Sequence, residues 1–339
     1  MKYNNLGNTG LFVSELCLGA MTFGGQGMWK AIGQQSQQDA QKLMEVSIER
    51  GINFFDNANA YSEGLAEEIM GKALQNIPNS QDLVIATKLR LRMGTSVNQV
   101  GLSRHHIYAA VDASLRRLQR SHIDLLYIHG VDSIAPLEET MRGLEDVVRS
   151  GKVRYLGVCN HPAWQVVKAN GIADKMGWTK LVALQYYYSL AGRDIEQTIV
   201  PMAQSEELSV LPWSPLAGGF LSGKYDRNTP KAGDSRRDDF DFPPINRSKT
   251  YDIIDELKLI ADAKNKTVAQ IALRWLLQKN QVHSVLIGAK TETQLLQNIE
   301  STLFELMADE MQRLDEVSQT AAPYPNWMVD FQAGDRFPN

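Results

Sequence analysis

The sequence predicts an α/β fold, a (β/α)8 TIM barrel in which eight parallel strands alternate with helices. Short apolar runs alternate with helical stretches over nearly the whole chain of 339 residues, and eight of these runs are typical of strands. Regular alternation implies parallel strands joined by right-handed crossovers, and eight such units close into a barrel. The runs are almost continuously apolar, as expected for a sheet covered on both faces. Because barrels of this length form one unit, we expect a single domain over residues 1–339.

The predicted elements begin with an N-terminal β-hairpin. The segment LGNTG, between YNN and LFVSEL, has the composition of a tight turn, and we expect the hairpin to cap the bottom of the barrel. The barrel strands that follow are predicted, in chain order, at residues 16–19, 53–56, 83–88, 124–129, 154–158, 182–185, 210–213 and 285–288.

The stretches between the strands show apolar residues at three- and four-residue spacing, which predicts amphipathic helices. Ser103 and Thr291 stand where N-capping residues are expected, each directly before such a stretch. Gly51, Pro78 and Gly151 follow other stretches and indicate where those helices end. These signals support the alternation of helix and strand.

Two regions interrupt the alternation. Residues 214–250 are rich in Gly, Pro, Asp and Arg and form a long loop after strand seven, which is typical of a functional lid or a disordered linker. The C-terminal tail carries Tyr324, Trp327, Phe331 and Phe337, which is too aromatic for a plain flexible segment. We expect the tail to fold over the mouth of the barrel and contact the substrate; the alternative is that it packs on an outer helix.

The composition argues against several classes of protein. The net charge is −4 and no dense Lys/Arg block occurs, so a nucleic-acid partner is not expected. No run of about 18 consecutive apolar residues and no apolar signal-peptide core is present, which predicts neither membrane spanning nor secretion. Cys17 and Cys159 lie in apolar runs and favour buried, reduced thiols, and no Cys/His spacing typical of a metal site recurs. We therefore expect a cytoplasmic protein without a metal.

Four polar side chains follow the ends of successive apolar strands. Asp56 and Tyr61 lie in INFFDNANAYSEG, Lys88 ends LVIATK, and His129 ends LLYIH. Because the carboxyl ends of barrel strands meet at one mouth, these groups are expected to lie around a shared site. Taken singly, each has an ordinary structural explanation, such as a helix cap, packing or a solvated lysine. Their joint placement predicts a catalytic site.

The four residue types fit the reduction of a carbonyl group. Tyr61 is the candidate proton donor, but a phenol with a pKa of about 10 gives up its proton reluctantly near neutral pH. The ammonium of Lys88, held by Asp56, is expected to stabilise the phenolate and lower that pKa. His129 is expected to donate a hydrogen bond that orients the substrate oxygen.

The motifs around these residues resemble those of the aldo-keto reductase superfamily. FFDNANAYSEG is similar to the family pattern FDTAxxYG, with Tyr61 five residues after Asp56, and ATK and LLYIHGVD match the patterns after the next two strands. The similarity extends from LGNTGLFVSELCLGAMTFG to QLLQNI, which is essentially the whole chain. The resemblance implies that Asp56, Tyr61, Lys88 and His129 form the family's catalytic tetrad.

The resemblance also implies a nicotinamide cofactor, NADP(H), although no GxGxxG loop follows a strand. In LGVCNH, Asn160 corresponds to the residue that contacts the nicotinamide carboxamide, and Cys159 replaces the family's serine. Gln185 in ALQYYYS is the second carboxamide partner, and Trp213 in PWSPLAGGFLSGK is the ring that stacks on the nicotinamide. Where many relatives have a second basic residue near the adenosine phosphate, this chain has Gln294.

The resemblance assigns further cofactor contacts, most of them to the pyrophosphate and the adenosine phosphate. They are Met21, Thr22, Asp56, Ser214, Leu216, Gly218, Lys224, Arg236, Gly288, Lys290, Gln294 and Asn298.

The resemblance implies an NADP(H)-dependent oxidoreductase that reduces a small-molecule aldehyde, ketone or sugar-type carbonyl to the alcohol. Two alternatives stay open, since some relatives are subunits of ion channels that sense cofactor occupancy and others are NAD-dependent sugar or alcohol dehydrogenases. Residues 21–29, residues 91–100 and the aromatic tail are the segments expected to shape the substrate pocket.

Overall fold

The computed structural model describes residues 1–231, 233 and 236–334, without the side chains of residues 236 and 239. Its strands are β1 (Tyr3–Asn5), β2 (Phe12–Ser14), β3 (Leu16–Gly19), β4 (Phe54–Asp56), β5 (Val84–Leu89), β6 (Ile123–Ile128), β7 (Val153–Cys159), β8 (Leu181–Tyr187), β9 (Ser209–Trp213) and β10 (Val285–Ile287).

Helices connect the strands and cover the outside of the sheet. They are α1 (Gln37–Glu49), α2 (Leu65–Asn76), α3 (Arg104–Leu118), α4 (Leu137–Arg149), α5 (Ala163–Met176), α6 (Ile199–Ser205), α7 (Arg236–Asp239), α8 (Arg247–Lys264), α9 (Val268–Leu277), α10 (Glu292–Ile299), α11 (Ala308–Ser318) and α12 (Asn326–Ala333). In the described part of the chain, none of these helices has the length and apolar character needed to cross a membrane.

The strands form the expected barrel. Strands β3 to β9 pair in chain order, every pair is parallel, and β10 pairs with β3. A parallel bridge between Val210 of β9 and Val282, just before β10, brings the two edges together. The antiparallel hairpin of β1 and β2 is also confirmed. Because the Gly7 N–H donates to the Ser209 hydroxyl at the start of β9 (2.6 Å), this hairpin lies at the amino ends of the strands.

The predicted element boundaries are close to the observed ones. The first predicted barrel strand coincides with β3, whereas β8 runs to Tyr187, two residues further than predicted. The hydroxyl oxygens of Ser103 and Thr291 accept hydrogen bonds from the backbone N–H groups of His106 and Gln294, both at 3.2 Å, which confirms the two predicted N-caps. Strand boundaries are predictable here because the apolar runs stop where the chain leaves the sheet.

The barrel interior is a packed core. One buried apolar cluster draws side chains from all eight barrel strands, among them Cys17, Phe54, Tyr127, Cys159 and Leu211. A second, larger cluster lies between the sheet and the helices. Both cysteines are free and buried, as the sequence predicts. The interior therefore leaves room for a ligand at the mouth of the barrel, where the packed layers end.

The crossing of α2 and α3 depends on Gly71. A Cβ atom at this position would lie 2.3 Å from the carbonyl oxygen of Arg117 and 2.9 Å from the Cα atom of Leu118. Both neighbours are backbone atoms, which cannot move aside as a flexible side chain can. Glycine at position 71 thus sets how closely the two helices pack.

We predict that Gly71→Ala destabilises the fold by about 1–3 kcal/mol, because the added methyl group overpacks the helix crossing. Gly171→Ala is the matched control: it also lies within a helix, α5, but its Cβ would meet no atom within 4 Å. The control is expected to be neutral or up to about 1 kcal/mol more stable, because alanine favours helix. Urea unfolding measures both changes; equal stability of the Gly71 and Gly171 variants would contradict the close approach.

Candidate active site

The carboxyl ends of β4, β5 and β6 bring the four predicted catalytic side chains together. Asp56 ends β4, Lys88 lies near the end of β5, and His129 directly follows β6. Tyr61 opens a short 3-10 helix, Tyr61–Gly64, and its ring centroid lies 5.8 Å from that of His129. The shared mouth that the sequence predicts is therefore present.

Lys88 is the centre of this group and is fully buried. Its Nζ atom donates to Asp56 Oδ2 at 2.5 Å, to the carbonyl oxygen of Asn57 at 2.8 Å and to Tyr61 Oη at 3.2 Å. An ammonium has three N–H groups, so every donor of Lys88 is used. Because the Tyr61 oxygen accepts from Lys88, the phenolic O–H is left to donate to another molecule.

Burial controls the acidity of Tyr61. It raises the pKa of the phenol to about 12; the nearby Lys88 ammonium lowers the pKa but does not outweigh burial, and the Asp56 carboxylate raises it further. The expectation of a lowered pKa is wrong for the protein without its cofactor. The local sequence shows the charge of Lys88 but not the removal of water from the phenol, which favours the neutral form.

Lys88 stays protonated in spite of its burial. Desolvation favours the neutral amine, but the charge of Asp56, with a smaller effect of Tyr61, raises the pKa of Lys88 above its ordinary value. The second carboxylate oxygen of Asp56 accepts from Gln185 Nε2 at 2.8 Å. The result is a buried ion pair in which Asp56 holds the ammonium next to Tyr61, as predicted.

His129 is neutral at physiological pH. Burial, followed by the charges of Lys88 and Arg90, holds the pKa of its imidazole well below the usual range. Its Nδ1 atom is buried and has no hydrogen-bond partner among the described residues. A neutral imidazole carries one N–H, so His129 can donate a hydrogen bond without itself releasing a proton.

A left-handed turn follows Tyr61. Ser62, Glu63 and Gly64 have φ values of 49°, 58° and 100°, and the Ser62 hydroxyl donates to the carbonyl oxygen of Phe23 at 2.9 Å. Left-handed backbone costs about 1–2 kcal/mol for a residue with a side chain, so surrounding contacts must hold this turn. The position of Tyr61 therefore depends on the packing around the turn.

A cavity of about 340 Å³ opens above these residues. It is lined by Gly19, Met21, Thr22, Met28, Trp29, Ile32, Asp56, Tyr61, Leu91, His129, Cys159, Asn160, Gln185, Trp213, Ser214, Pro215, Phe240, Phe242, Leu286, Ile287 and Gly288. Apart from the polar groups around Tyr61 and the strand ends, the walls are aromatic and aliphatic. Such a lining with a few convergent polar groups is typical of a small-molecule site.

Sequence reasoning missed several residues of the cavity wall. Trp29 meets the Tyr61 ring edge-on, with centroids 5.0 Å apart, and Leu91, Phe240 and Phe242 also line the cavity. Trp29 and Leu91 fall in two of the segments expected to shape the pocket. No local pattern identifies the individual side chains, because loop residues meet the site only after the chain has folded.

The expected contact of the C-terminal tail with the cavity is absent in the part that the structure describes. None of the described tail residues lines the cavity. The tail helix α12 is attached through Asn326, whose amide donates to the carbonyl oxygen of Gln197 at 2.8 Å, while the Phe331 ring is 79% exposed. Phe337 lies outside the described residues. The cavity wall is built instead by the loops that follow β3, β5 and β9.

Asn160 and Gln185, the residues expected to hold a nicotinamide carboxamide, offer it one hydrogen-bond donor and one acceptor. Asn160 Oδ1 accepts from the Trp213 indole N–H at 3.1 Å, and Gln185 Nε2 donates to Asp56. Indole only donates and a carboxylate only accepts, so these contacts fix the orientation of both amides. An N–H donor of Asn160 and the acceptor oxygen of Gln185 are thereby left at the same cavity. A carboxamide needs one of each, so the site fits the group.

Trp213 is already in contact with two aromatic rings. The Phe242 ring lies nearly parallel to it at 9° with centroids 5.8 Å apart, and the Tyr187 ring lies at 5.2 Å. A nicotinamide ring can therefore stack on Trp213 only where these neighbours leave the indole uncovered.

Several predicted cofactor contacts lie outside the cavity and take part in local hydrogen bonds. The Gly218 N–H donates to the Ser214 hydroxyl at 2.9 Å, Gln294 Oε1 accepts from the Lys290 N–H at 2.9 Å, and Asn298 donates to a backbone carbonyl at 3.2 Å. These contacts shape the loops after β9 and β10. The predicted positions that do not line the cavity are Leu216, Gly218, Lys224, Lys290, Gln294 and Asn298.

The long loop after β9 is anchored by a residue that the sequence did not single out. The side chain of Arg236, the predicted contact, lies outside the described residues. Its neighbour Arg237 is buried and donates to the carbonyl oxygens of Ala217 at 2.8 Å and Pro243 at 2.6 Å. The loop thus carries Phe240 and Phe242 to the cavity from a fixed base.

Comparison with known proteins agrees with this architecture. The model of the aldo/keto reductase family matches residues 15–319. The chain is 35% identical to a versiconal hemiacetal acetate reductase of Aspergillus parasiticus, over 96% of this chain and 99% of that protein. It is 36% identical to a probable voltage-gated potassium channel subunit beta of Arabidopsis thaliana, over 89% of this chain and 91% of that protein. It is 32% identical to a putative aryl-alcohol dehydrogenase of Schizosaccharomyces pombe, over 93% of this chain and 95% of that protein. The chain belongs to the aldo/keto reductase family.

Proposed function

We propose that this protein is an NADP(H)-dependent oxidoreductase that reduces an aldehyde, ketone or sugar-type carbonyl to the alcohol. The observation that carries the proposal is the hydrogen bonding of Lys88. All three of its N–H groups are used, one of them on Tyr61 Oη, so the Tyr61 proton is available in a cavity of substrate size.

A nicotinamide cofactor held by Asn160 and Gln185 would supply the hydride for the carbonyl carbon. Tyr61 donates its proton to the carbonyl oxygen, which completes the alcohol, and the adjacent Lys88 ammonium stabilises the phenolate that remains. Asp56 keeps the ammonium in place through that change of charge. The neutral His129 donates a hydrogen bond to the same oxygen and favours the charge that develops there. The raised pKa of Tyr61 keeps the donor protonated before the reaction.

The choice of NADP(H) rests on basic side chains placed by the resemblance near the phosphates, namely Lys224, Arg236 and Lys290. Lys290 directly precedes Thr291, the N-cap of α10, and a helix amino terminus with a lysine favours a phosphate. Gln294, which accepts from the Lys290 backbone, adds no charge there. Because Lys290 is the single basic side chain that the resemblance places at the adenosine phosphate, an NAD-dependent dehydrogenase working in the oxidative direction is the alternative.

The cavity wall favours an uncharged, apolar carbonyl compound, such as an aryl aldehyde, over a sugar. Trp29, Leu91 and Phe240 offer apolar surface, and no lysine or arginine lines the cavity among the described residues. The similarity to a putative aryl-alcohol dehydrogenase and to a reductase of a hemiacetal acetate supports a substrate of this kind.

We place the protein in the cytoplasm, where its two free, buried thiols stay reduced.

A second candidate function is that of a cofactor-binding subunit of a channel. The observation that favours it is the 36% identity to a probable potassium channel subunit beta. A chain with this role alone would bind NADPH but would not oxidise it with any carbonyl compound, so the assays below separate the two candidates.

We predict that Tyr61→Phe lowers the rate of NADPH oxidation with a simple aryl aldehyde by about 10²- to 10⁴-fold, because the proton donor is lost. Tyr3→Phe is the matched control, since its hydroxyl bonds to Gly51 far from the mouth. The decrease in NADPH absorbance measures both rates. Equal rates for Tyr61→Phe and the parent protein would overturn the proposed role.

The pH dependence of the reduction follows from the phenol of Tyr61. Its pKa is raised to about 12 in the free protein, so the proton-bearing form persists throughout the neutral and moderately alkaline range. We predict that kcat/KM for the reduction shows no loss from deprotonation of Tyr61 between about pH 7 and pH 10. Steady-state rates across this range test it, and an alkaline decrease of kcat/KM with a pKa below about 10 would contradict it.

Lys290→Ala is predicted to weaken NADPH binding about 10- to 100-fold and NADH binding little, because a charged hydrogen bond to a phosphate is worth about 1.5–3 kcal/mol. Lys72→Ala, an exposed lysine on α2, is the control. Quenching of tryptophan fluorescence gives both dissociation constants. If the dissociation constants for NADPH and NADH rise equally in Lys290→Ala, the assignment of NADP(H) is wrong.

A further inference from the structure

Behind the site, a buried polar cluster of Glu67, Thr87 and Arg117 lies outside the cavity. Glu67 and Thr87 are fully buried. The Thr87 hydroxyl donates to Glu67 Oε1 at 2.5 Å, and the Arg117 guanidinium donates to Glu67 Oε2 at 2.7 Å. Both carboxylate oxygens are therefore paired, one with β5 and one with α3.

The Glu67 cluster connects the two elements that carry Tyr61 and Lys88. Thr87 directly precedes Lys88 in β5, and Glu67 lies in the first turn of α2, six residues after Tyr61. The bond from Thr87 to Glu67 thus joins the strand of the ammonium to the helix that follows the phenol. The Tyr61 Oη to Lys88 Nζ distance of 3.2 Å depends on how these two elements sit together.

Tyr61 lies between two attachments to the same strand. On its amino side, the N–H of Asn59 donates to the carbonyl oxygen of Lys88 at 3.1 Å. On its carboxyl side, the next side-chain bond to β5 is the one between Thr87 and Glu67. Loss of the second attachment would leave the segment around Tyr61 tied to β5 on its amino side and through the Tyr61 hydroxyl alone.

Arg117 adds support at the left-handed turn. The turn ends at Gly64, whose φ is 100°, and a Cβ atom there would lie 3.0 Å from Arg117 Cδ. The guanidinium that pairs with Glu67 therefore belongs to a side chain packed on the turn that carries Tyr61. Strained backbone persists only where neighbouring groups hold it, and Arg117 is such a neighbour.

The composition of the cluster also favours a geometric role. A buried ion pair is usually no more stabilising than apolar side chains of the same volume. The hydrogen bonds of Glu67, in contrast, have a defined length and direction and join α2 to β5 at 2.5 Å and to α3 at 2.7 Å.

We propose that Glu67, Thr87 and Arg117 are positioning residues that hold Tyr61 Oη within hydrogen-bond distance of Lys88 Nζ. This inference rests on the proposed function of Tyr61 as proton donor. The three residues do not line the cavity, so they act through Tyr61 rather than on a substrate.

Thr87→Val tests the proposal, because it keeps the shape of the side chain and removes the hydroxyl. Thr87→Ser restores the hydroxyl. Thr140→Val is the matched control: Thr140 is also buried, and its hydroxyl donates to the carbonyl oxygen of Leu102 at 3.1 Å, away from the cavity. If Thr87→Val does not fold, Thr87→Ala and Thr140→Ala replace the pair.

We expect Thr87→Val to lower kcat about 10- to 100-fold with an unchanged dissociation constant for NADPH, because a small displacement of a reacting group has effects of this size. Thr87→Ser recovers most of the lost kcat, and Thr140→Val lowers the melting temperature alone. A Thr87→Val variant that loses only melting temperature, as Thr140→Val does, overturns the proposal.

Crystal structures of the parent protein and of Thr87→Val separate this inference from the proposed function. If the parent protein reduces no carbonyl compound, the proposed function fails, and the distance from Tyr61 Oη to Lys88 Nζ decides the inference by itself. A longer distance in Thr87→Val supports the positioning role, and an unchanged distance overturns it.

Discussion

The buried ammonium of Lys88 is the interaction on which the rest of the site depends. An ion withdrawn from water costs several kcal/mol unless charge and hydrogen bonds replace the solvent. Here Asp56, the carbonyl oxygen of Asn57 and Tyr61 Oη replace it completely. All three acceptors come from the segment at the end of β4, whereas Lys88 comes from β5. The pairing of these two strands therefore has to place Asp56 opposite Ala86, as it does.

The burial that makes this ion pair necessary also determines the protonation states around it. Removal of water raises the pKa of Tyr61 and lowers that of His129, so both groups are neutral donors. Aromatic and aliphatic walls keep the surroundings of low polarity, where a hydrogen bond to a developing negative charge is stronger than in water. Burial thus accounts both for the ion pair of Lys88 and Asp56 and for the two neutral hydrogen-bond donors at the cavity, Tyr61 and His129.

The barrel and its loops have separate roles in this chain. The polar centre lies on strand ends, where paired neighbours fix each backbone position. The wall comes from loops, with Trp29 after β3, Leu91 after β5 and Phe242 after β9. Loops vary without disturbing the barrel, which agrees with the different substrates in the names of two relatives, a versiconal hemiacetal acetate reductase and a putative aryl-alcohol dehydrogenase. The substrate of this protein is consequently a property of its loops.

The sequence alone predicts the order of strands and helices and the placement of Asp56, Tyr61, Lys88 and His129 at the strand ends. Those features are local, because apolar periodicity shows where a strand ends and the next residue then lies at the mouth. Three features appear only in the folded structure: the raised pKa of Tyr61, the identity of the wall residues, and the absence of the described tail residues from that wall. Each of these depends on burial or on contacts between segments far apart in the chain. The residues next to the site in the sequence show neither burial nor such contacts.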